Sequence, residues 1–201
     1  MNFGEAVAEV MGITARPDKG VEIASALNAA ISLFSTKVNW SKDLVESSLV
    51  INPASYGETL VFDNVSPTPL VTRFRKFKYV KPAGVLRYLL PIGCDKIFTP
   101  GEFTQKDVYY VGGNSITYLL KELASSLEIG YYQFPPLLDA TTVNTYWMLD
   151  LMPYAVIDKA CARIFRSIGD DTSARNYEAS ALEFFNAAKR DFEDCIQAVA
   201  R

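Results

Sequence analysis

The chain has 201 residues, of which 49% are hydrophobic and 21% are charged, a composition that fits a globular protein and excludes a disordered or collagen-like one. Its 20 cations and 23 acids leave a net charge of −3, which is not the basic balance of a protein that coats nucleic acid. No apolar run reaches the roughly 18 residues that a membrane span needs. The N-terminus also lacks the pattern of a signal peptide, so we expect no membrane partner.

The chain contains no histidine. Histidine is the commonest general base and metal ligand near neutral pH, so Ser-His-Asp and Cys-His catalysis and His-bearing zinc sites are excluded. Carboxylate, lysine or tyrosine chemistry remains open, but we expect no catalytic residue and no cofactor. Cys94, Cys161 and Cys195 have no CxxC spacing and are odd in number, so we expect free thiols and no metal site.

The first 37 residues predict two helices. Apolar residues recur at helical spacing from Phe3 to Met11, and Gly12 is the expected C-cap. A second helix is expected to begin near Pro17 and Asp18, because proline is tolerated in a first helical turn.

Residues 38–137 predict a β lobe, because they hold eight of the ten prolines and many aromatic and β-branched residues. Strands are predicted over 71–80, 85–90 and 129–134. The residues between 108 and 120 predict a β-hairpin, whose turn is Gly112-Gly113-Asn114.

Residues 138–201 predict helices again. One apolar stripe is expected, with either a kink at Pro153 or a helix that begins close to it. Its members are Trp147, Leu151, Tyr154, Cys161, Ile164, Phe165 and Ile168. Asp171 or Thr172 is expected to cap the last helix. That helix is predicted to span about 28 residues and to bury a stripe that includes Phe184 and Phe192.

The predicted fold class is therefore α+β. Residues 1–37 and 138–201 are expected to form one helical bundle, and residues 38–137 an antiparallel β lobe inserted into it.

The charge pattern is most unusual between Asp63 and Asp95, where there is no acidic residue and six cations lie among aromatic residues. Three interpretations remain open: a solvated edge strand in which lysine blocks pairing, a seam against an acidic partner or neighbouring subunit, and a strand that follows a phosphate backbone. The residues assigned to this basic strand are Arg73, Arg75, Lys76, Lys78 and Arg87.

Two acidic groups and a surplus of tyrosine complete the pattern. Asp170-Asp171 is interpreted as a helix cap, and the acids at 191–194 as a solvated helix face.

The aromatic residues of the lobe indicate either an assembly contact or plain core packing. They are Tyr109, Tyr110, Tyr118, Tyr131, Tyr132 and Phe134.

The order of several short segments along the chain is informative. They are Val38–Asp43 (VNWSKD), the tyrosine-rich hairpin at 108–120, Leu149–Tyr154 (LDLMPY) before Asp158–Phe165 (DKACARIF), and Ala174–Glu178 (ARNYE) before Phe184–Asp191 (FFNAAKRD). In this order the chain resembles the tail-tubular-A-like head-to-tail adaptors of tailed bacteriophages, over most of its length.

The resemblance implies a structural virion protein with no enzymatic activity. Such adaptors form a dodecameric ring between the portal protein and the tail or nozzle protein and continue the channel through which viral DNA passes without specific binding. The location implied is the neck of the virion, after assembly in the host cytoplasm. Members often carry an irregular tail beyond the last helix, whereas here the helical pattern continues almost to Arg201.

The resemblance also implies roles for two sets of residues. The C-terminal segment is expected to dock on the portal, through Phe192, Cys195, Ile196 and Val199. The β lobe is expected to face the tail, through Tyr109, Tyr110, Gly112, Gly113 and Asn114. The alternatives are another neck or tail-completion protein of a phage, and a nucleic-acid-binding module that uses the basic strands at 73–88.

Overall fold

The computed structural model divides the chain into two compact units. One comprises Met1–Lys42 and Phe134–Arg201, and the other comprises Asp43–Gln133. The structure describes all residues except 62–70, 72, 94–106, 140, 142, 200 and 201, and for residues 193–199 it describes the backbone alone. The first sequence-based boundary, 37/38, lies five residues before the division at 42/43. The second, 137/138, lies four residues after the division at 133/134. The α+β class is confirmed, with helices at both ends of the chain and strands between them.

The helical unit contains five helices within the described residues. They are α1 (Phe3–Thr14), α2 (Gly20–Lys37), α3 (Trp147–Leu151), α4 (Pro153–Ser167) and α5 (Asp171–Val199). Helix α4 is central, because α1, α2 and α5 all pack against it. The core between them includes the stacked rings of Phe34 and Phe185, whose centroids are 4.7 Å apart.

Helix α1 begins at a capping box and ends later than predicted. The Asn2 side chain accepts a hydrogen bond from the backbone N–H of Glu5, and the Glu5 carboxylate accepts one from the N–H of Asn2. The C-cap is Ala15, which adopts a left-handed conformation with φ of 52°. The prediction of a cap at Gly12 was wrong, because the helix continues until Thr14 is buried against the core.

The predicted stripe from Trp147 to Ile168 was partly right. The chain breaks at Met152 between α3 and α4, and Pro153 occupies the first turn of α4, as one of the two alternatives predicted. Cys161 and Ile164 of that stripe are buried as predicted, whereas Leu151, Tyr154 and Ile168 are exposed. The core face of α4 is completed by Ala155, Val156, Ile157 and Ala160.

Within its described residues, the β unit contains two sheets. The strands are β1 (Leu44–Val50), β2 (Gly57–Val61), β3 (Phe74–Pro82), β4 (Leu90–Pro91), β5 (Val108–Gly112), β6 (Ser115–Leu119) and β7 (Ser126–Gln133). One sheet has the order β1-β7-β3 and the other the order β2-β6-β5-β4. All pairs are antiparallel except the short β4–β5 pair, which is parallel. A separate core of this unit is formed by residues such as Leu49, Ile116, Leu127 and Ile129.

The strand predictions were right in kind and partly wrong in extent. The hairpin is confirmed as β5 and β6, and Gly113 has a positive φ of 58°. The strand expected over 85–90 is reduced to Leu90–Pro91, because Gly84 turns the chain with φ of 74° and only Leu89 bonds back to the Val80 carbonyl. The strand expected at 129–134 begins earlier, at Ser126.

Candidate functional site

Strand β3 carries most of the predicted basic strand and lies at the edge of its sheet. Its register with β7 shifts between Phe74 and Lys76 and again between Phe77 and Tyr79, so Arg75 and Lys78 lie at the two irregularities. The sequence suggested such a bulge, because the cations do not keep a strict alternation. Bulges and exposed lysines both hinder a new strand from pairing at a sheet edge.

The cations of the basic stretch differ in their surroundings. Lys81 forms an ion pair of 2.6 Å with Glu128, and Arg87 is paired with buried Asp107 and lies 3.9 Å from Glu122. Arg73 donates a hydrogen bond of 2.9 Å to Gln133. Arg73 and Arg87, which the sequence assigned to a contact surface, therefore already hold parts of the β unit together.

The other three cations border an open groove, here called the β3 groove. It is lined by residues 74–79 of β3, by residues 88, 89, 91 and 92, and by residues 109–111 of β5, and its volume is about 730 Å³. Lys76 and Lys78 are exposed, and the Arg75 guanidinium lies 5.4 Å from the centre of the Tyr132 ring. No acidic residue is among those lining residues. The groove therefore combines positive charge with an aromatic and aliphatic wall.

Two tyrosines that line the groove have a raised pKa. Tyr79 donates a hydrogen bond of 2.8 Å to Glu46, and this bond raises the pKa of the Tyr79 hydroxyl to about 12. Burial raises the pKa of Tyr109 above its ordinary value. Both shifts favour the neutral form of the hydroxyl, so neither ring adds negative charge to the groove.

The hairpin residues assigned to the tail divide into two groups. Gly112, Gly113 and Asn114 form the exposed tip, and Tyr110 is half-buried beside it. Tyr109 is only 7% exposed and packs edge-on against Phe77, so it belongs to the core of the β unit. Tyr118 and Tyr131 are also buried, and for these three residues the core-packing interpretation is right.

The residues assigned to portal docking lie at the end of α5. Phe192 is half-buried, and its ring lies 5.0 Å from that of Trp40, so it packs on the helical unit itself. The side chains of Cys195, Ile196 and Val199 lie outside the described part of the structure. Their portal-docking role stays a prediction.

The sequence missed an exposed apolar surface on the helical unit, here called the α4–α5 patch: Tyr154 and Phe184. These side chains are 51% and 45% exposed, and their rings are 5.8 Å apart. Leu151, the last residue of α3, is 65% exposed. The sequence had placed all three in buried stripes. At Phe184-Phe185 the buried ring is that of Phe185, one position further on, and the apolar pattern alone does not distinguish the two.

The acidic pair before α5 is a helix cap. The Asp170 carboxylate accepts a hydrogen bond of 3.0 Å from the backbone N–H of Ser173, and this bond lowers the pKa of Asp170. The prediction that Asp171 or Thr172 is the cap was wrong by one or two positions. Within the described residues, no three acidic or cysteine side chains come together in a way that could hold a metal ion.

Comparison with known proteins adds no relative. No protein-family model and no curated protein matches this chain. None of the helices in the described parts of the chain combines the length and apolar character needed to cross a membrane.

Proposed function

We propose that this chain is a structural adaptor of a tailed bacteriophage and has no catalytic activity. It would form a ring between the portal protein and the tail or nozzle protein, in the neck of the virion, and continue the channel for viral DNA. The order of its sequence elements supports this role, and so does the absence of histidine.

The observation that carries the proposal furthest is the α4–α5 patch. Large apolar side chains that share an exposed surface mark contact sites between proteins, because leaving them in water is unfavourable. Tyr154 lies in the first turn of α4, and Phe184 faces Tyr154 from α5. The patch is on the same unit as the end of α5, which the resemblance assigns to the portal. We therefore propose that the portal contact includes this patch.

The test is electron microscopy of purified portal rings with and without the purified protein. We expect an added ring of density on one face of the portal. The double variant Tyr154→Asp and Phe184→Asp is expected to abolish that ring, and Val21→Asp, at an isolated residue of α2 that is 84% exposed, is expected to retain it.

Two results would count against the proposal. If the unaltered protein never associates with portal, tail or virion, it is not an adaptor. If the double variant assembles normally, the patch is not the portal contact. Circular dichroism of each variant establishes that it is folded. A monomer in solution is compatible with the proposal, because the ring can form on the portal alone.

A second candidate function is a nucleic-acid-binding module that uses the β3 groove. It is favoured by the three cations that lie beside aromatic rings at the surface. If it is right, the isolated protein binds a thymidine oligonucleotide, and the logarithm of the association constant falls with the logarithm of salt concentration with a slope of about −2, as expected for three phosphate contacts.

A further inference from the structure

Two lysines beside the β3 groove, Lys76 and Lys78, are not neutralised by any acidic residue that the structure describes. Lys76 and Lys78 are exposed and form no ion pair with any residue that the structure describes. Their neighbours Lys81 and Arg87, by contrast, each have a carboxylate partner. Blocking a sheet edge explains why lysines lie on β3, but it does not explain the groove of about 730 Å³ beside them.

The wall of the groove is apolar in a way that suits amino-acid side chains. Pro91 and Ile92 supply aliphatic surface along one side, and buried Leu89 lies behind them. The rings of Phe77 and Tyr109 are each only 7% exposed and pack edge-on against each other, so their faces are not available for stacking on bases. Single-stranded nucleic acid is bound mainly through exposed aromatic faces, and in this groove Tyr88 is the lining tyrosine that is most exposed, at 57%.

We propose that the β3 groove binds an acidic, extended polypeptide segment of a partner protein. Carboxylates of that segment would pair with Lys76 and Lys78, while a leucine or phenylalanine between them occupies the apolar wall. The two bulges of β3 disfavour a regular added strand, so the contact is made through side chains rather than through a continued sheet. This inference does not depend on the adaptor proposal.

Charge complementarity is the reason for an acidic occupant. The described residues that line the groove include Arg75, Lys76 and Lys78 and no carboxylate. An acidic segment gains attraction from Lys76 and Lys78 and meets no like charge among those lining residues. A neutral apolar segment would gain only the burial of its side chains and would leave the lysines without partners.

The probe is a fluorescein-labelled peptide, Gly-Asp-Leu-Glu-Phe-Glu-Leu-Asp-Gly, measured by fluorescence anisotropy with the full chain at low salt. We expect saturable binding that weakens as salt is added. Lys76→Glu and Lys78→Glu are each expected to weaken it by about fivefold or more. Lys121→Glu makes the same charge change at an exposed lysine of the same unit, outside the groove, and is expected to change affinity by less than about twofold. Peptides with Asn and Gln for the acids, or Ser for the apolar residues, are expected to bind much more weakly.

Other results would overturn the proposal. If a thymidine oligonucleotide binds at least as tightly as the peptide and is lost in Lys76→Glu, the groove is a nucleic-acid site. If Lys121→Glu is as damaging as Lys76→Glu, binding is only general attraction between charges. If the peptide fails to bind while sedimentation shows a self-association that Lys76→Glu removes, the occupant is a second copy of this chain.

Discussion

Asp158 is a buried carboxylate in the core of the helical unit. It lies on α4, is 8% exposed, and accepts a hydrogen bond of 2.6 Å from the Ser180 hydroxyl on α5. Burial raises its pKa above the ordinary value of 3.8, and the Ser180 bond opposes that rise only in part. Burial and the nearby Asp158 charge also raise the pKa of Cys161 to about 12, so this thiol stays protonated. The Asp158–Ser180 hydrogen bond therefore links α4 to α5, but the buried carboxylate of Asp158 destabilises the folded protein when it is ionised.

We predict that Asp158→Asn stabilises the helical unit at pH 7 by about 1 kcal/mol, because Asn keeps an acceptor for Ser180 without a buried charge. The native pKa is the higher one, so the native state holds a proton that the unfolded state has lost between pH 3.8 and that native pKa. The contribution of Asp158 to the free energy of unfolding of the wild-type protein therefore falls as the pH rises from 3.8 to the native pKa.

The stability difference between Asp158→Asn and wild type should be largest at pH 7 and shrink towards pH 3.8. Urea titration followed by tryptophan fluorescence measures it, because Trp40 and Trp147 both belong to the helical unit. Asp191→Asn, at an exposed carboxylate of α5, is the control. A destabilised Asp158→Asn at pH 7, or a difference that does not change with pH, would contradict the prediction.

At the scale of single elements, the length and the start of a helix can be traced to local signals in the sequence. Helix α5 has 29 residues, close to the predicted length, and its start is decided by one side chain, that of Asp170. An acceptor at an N-cap satisfies a backbone N–H that the helix itself leaves unpaired.

We predict that Asp170→Ala costs about 1 kcal/mol of unfolding free energy, because Ser173 loses its hydrogen-bond acceptor. Asp171→Ala is the matched control, since it removes an acid from the same turn without removing the cap, and we expect a cost of at most about half as much. Tryptophan-monitored urea titration is again the measurement. Equal costs would show that the charge of the turn matters rather than the Asp170 bond.

In strand β7 the backbone of Gly130 lies very close to the ring of Tyr79, a contact that the sequence did not predict. Gly130 is paired with Tyr79 of β3, and the Tyr79 ring lies over the glycine, where a Cβ atom would collide with the ring. An aromatic ring that covers a glycine on the neighbouring strand is a recognised way to stabilise a sheet. The position of the ring is held by its hydrogen bond to Glu46 on β1.

We predict that Gly130→Ala destabilises the β unit by about 1–3 kcal/mol, since the Tyr79 ring must move. In a Tyr79→Ser background the same substitution should cost much less, because the ring is gone. A double-mutant cycle, followed by the circular dichroism of tyrosine, measures this coupling. An equal cost in both backgrounds would rule out the ring as the cause.

At the scale of the whole molecule, two features of composition bear on assembly. The chain has no histidine, and the residues from 64 to 94 carry six cations and no acid. Exposed charges of this kind act over about 10 Å at moderate salt, so they influence the encounter with a partner more than the stability of the fold.

We predict that association with the portal changes by less than about twofold between pH 6 and pH 8, because no side chain of this composition ordinarily titrates there. The fraction of portal rings that carry added density, counted in micrographs at both pH values, measures it. The portal alone, imaged at both values, controls for changes in the partner. A tenfold change caused by this chain would contradict the prediction.

The sequence by itself determined the class of the fold and the kind of element in each region. Helical spacing at both ends and eight prolines between residues 38 and 137 indicate helices around a β region, because both signals are local. The hairpin was predicted for the same reason, since its turn residues adjoin its strands. The individual strands β1 and β2 were not predicted, as they carry no comparable turn signal.

Tertiary structure alone decided which side chains meet. Tyr154 is exposed although Cys161, seven residues further on, is buried, and Phe185 rather than Phe184 lies in the core. Strand β7 pairs with β1, about 80 residues earlier, and with β3, and the β3 groove joins segments that are separated in the chain. Residues far apart in the chain meet only when the whole unit packs. The apolar periodicity of one segment does not indicate which distant residues pack against it.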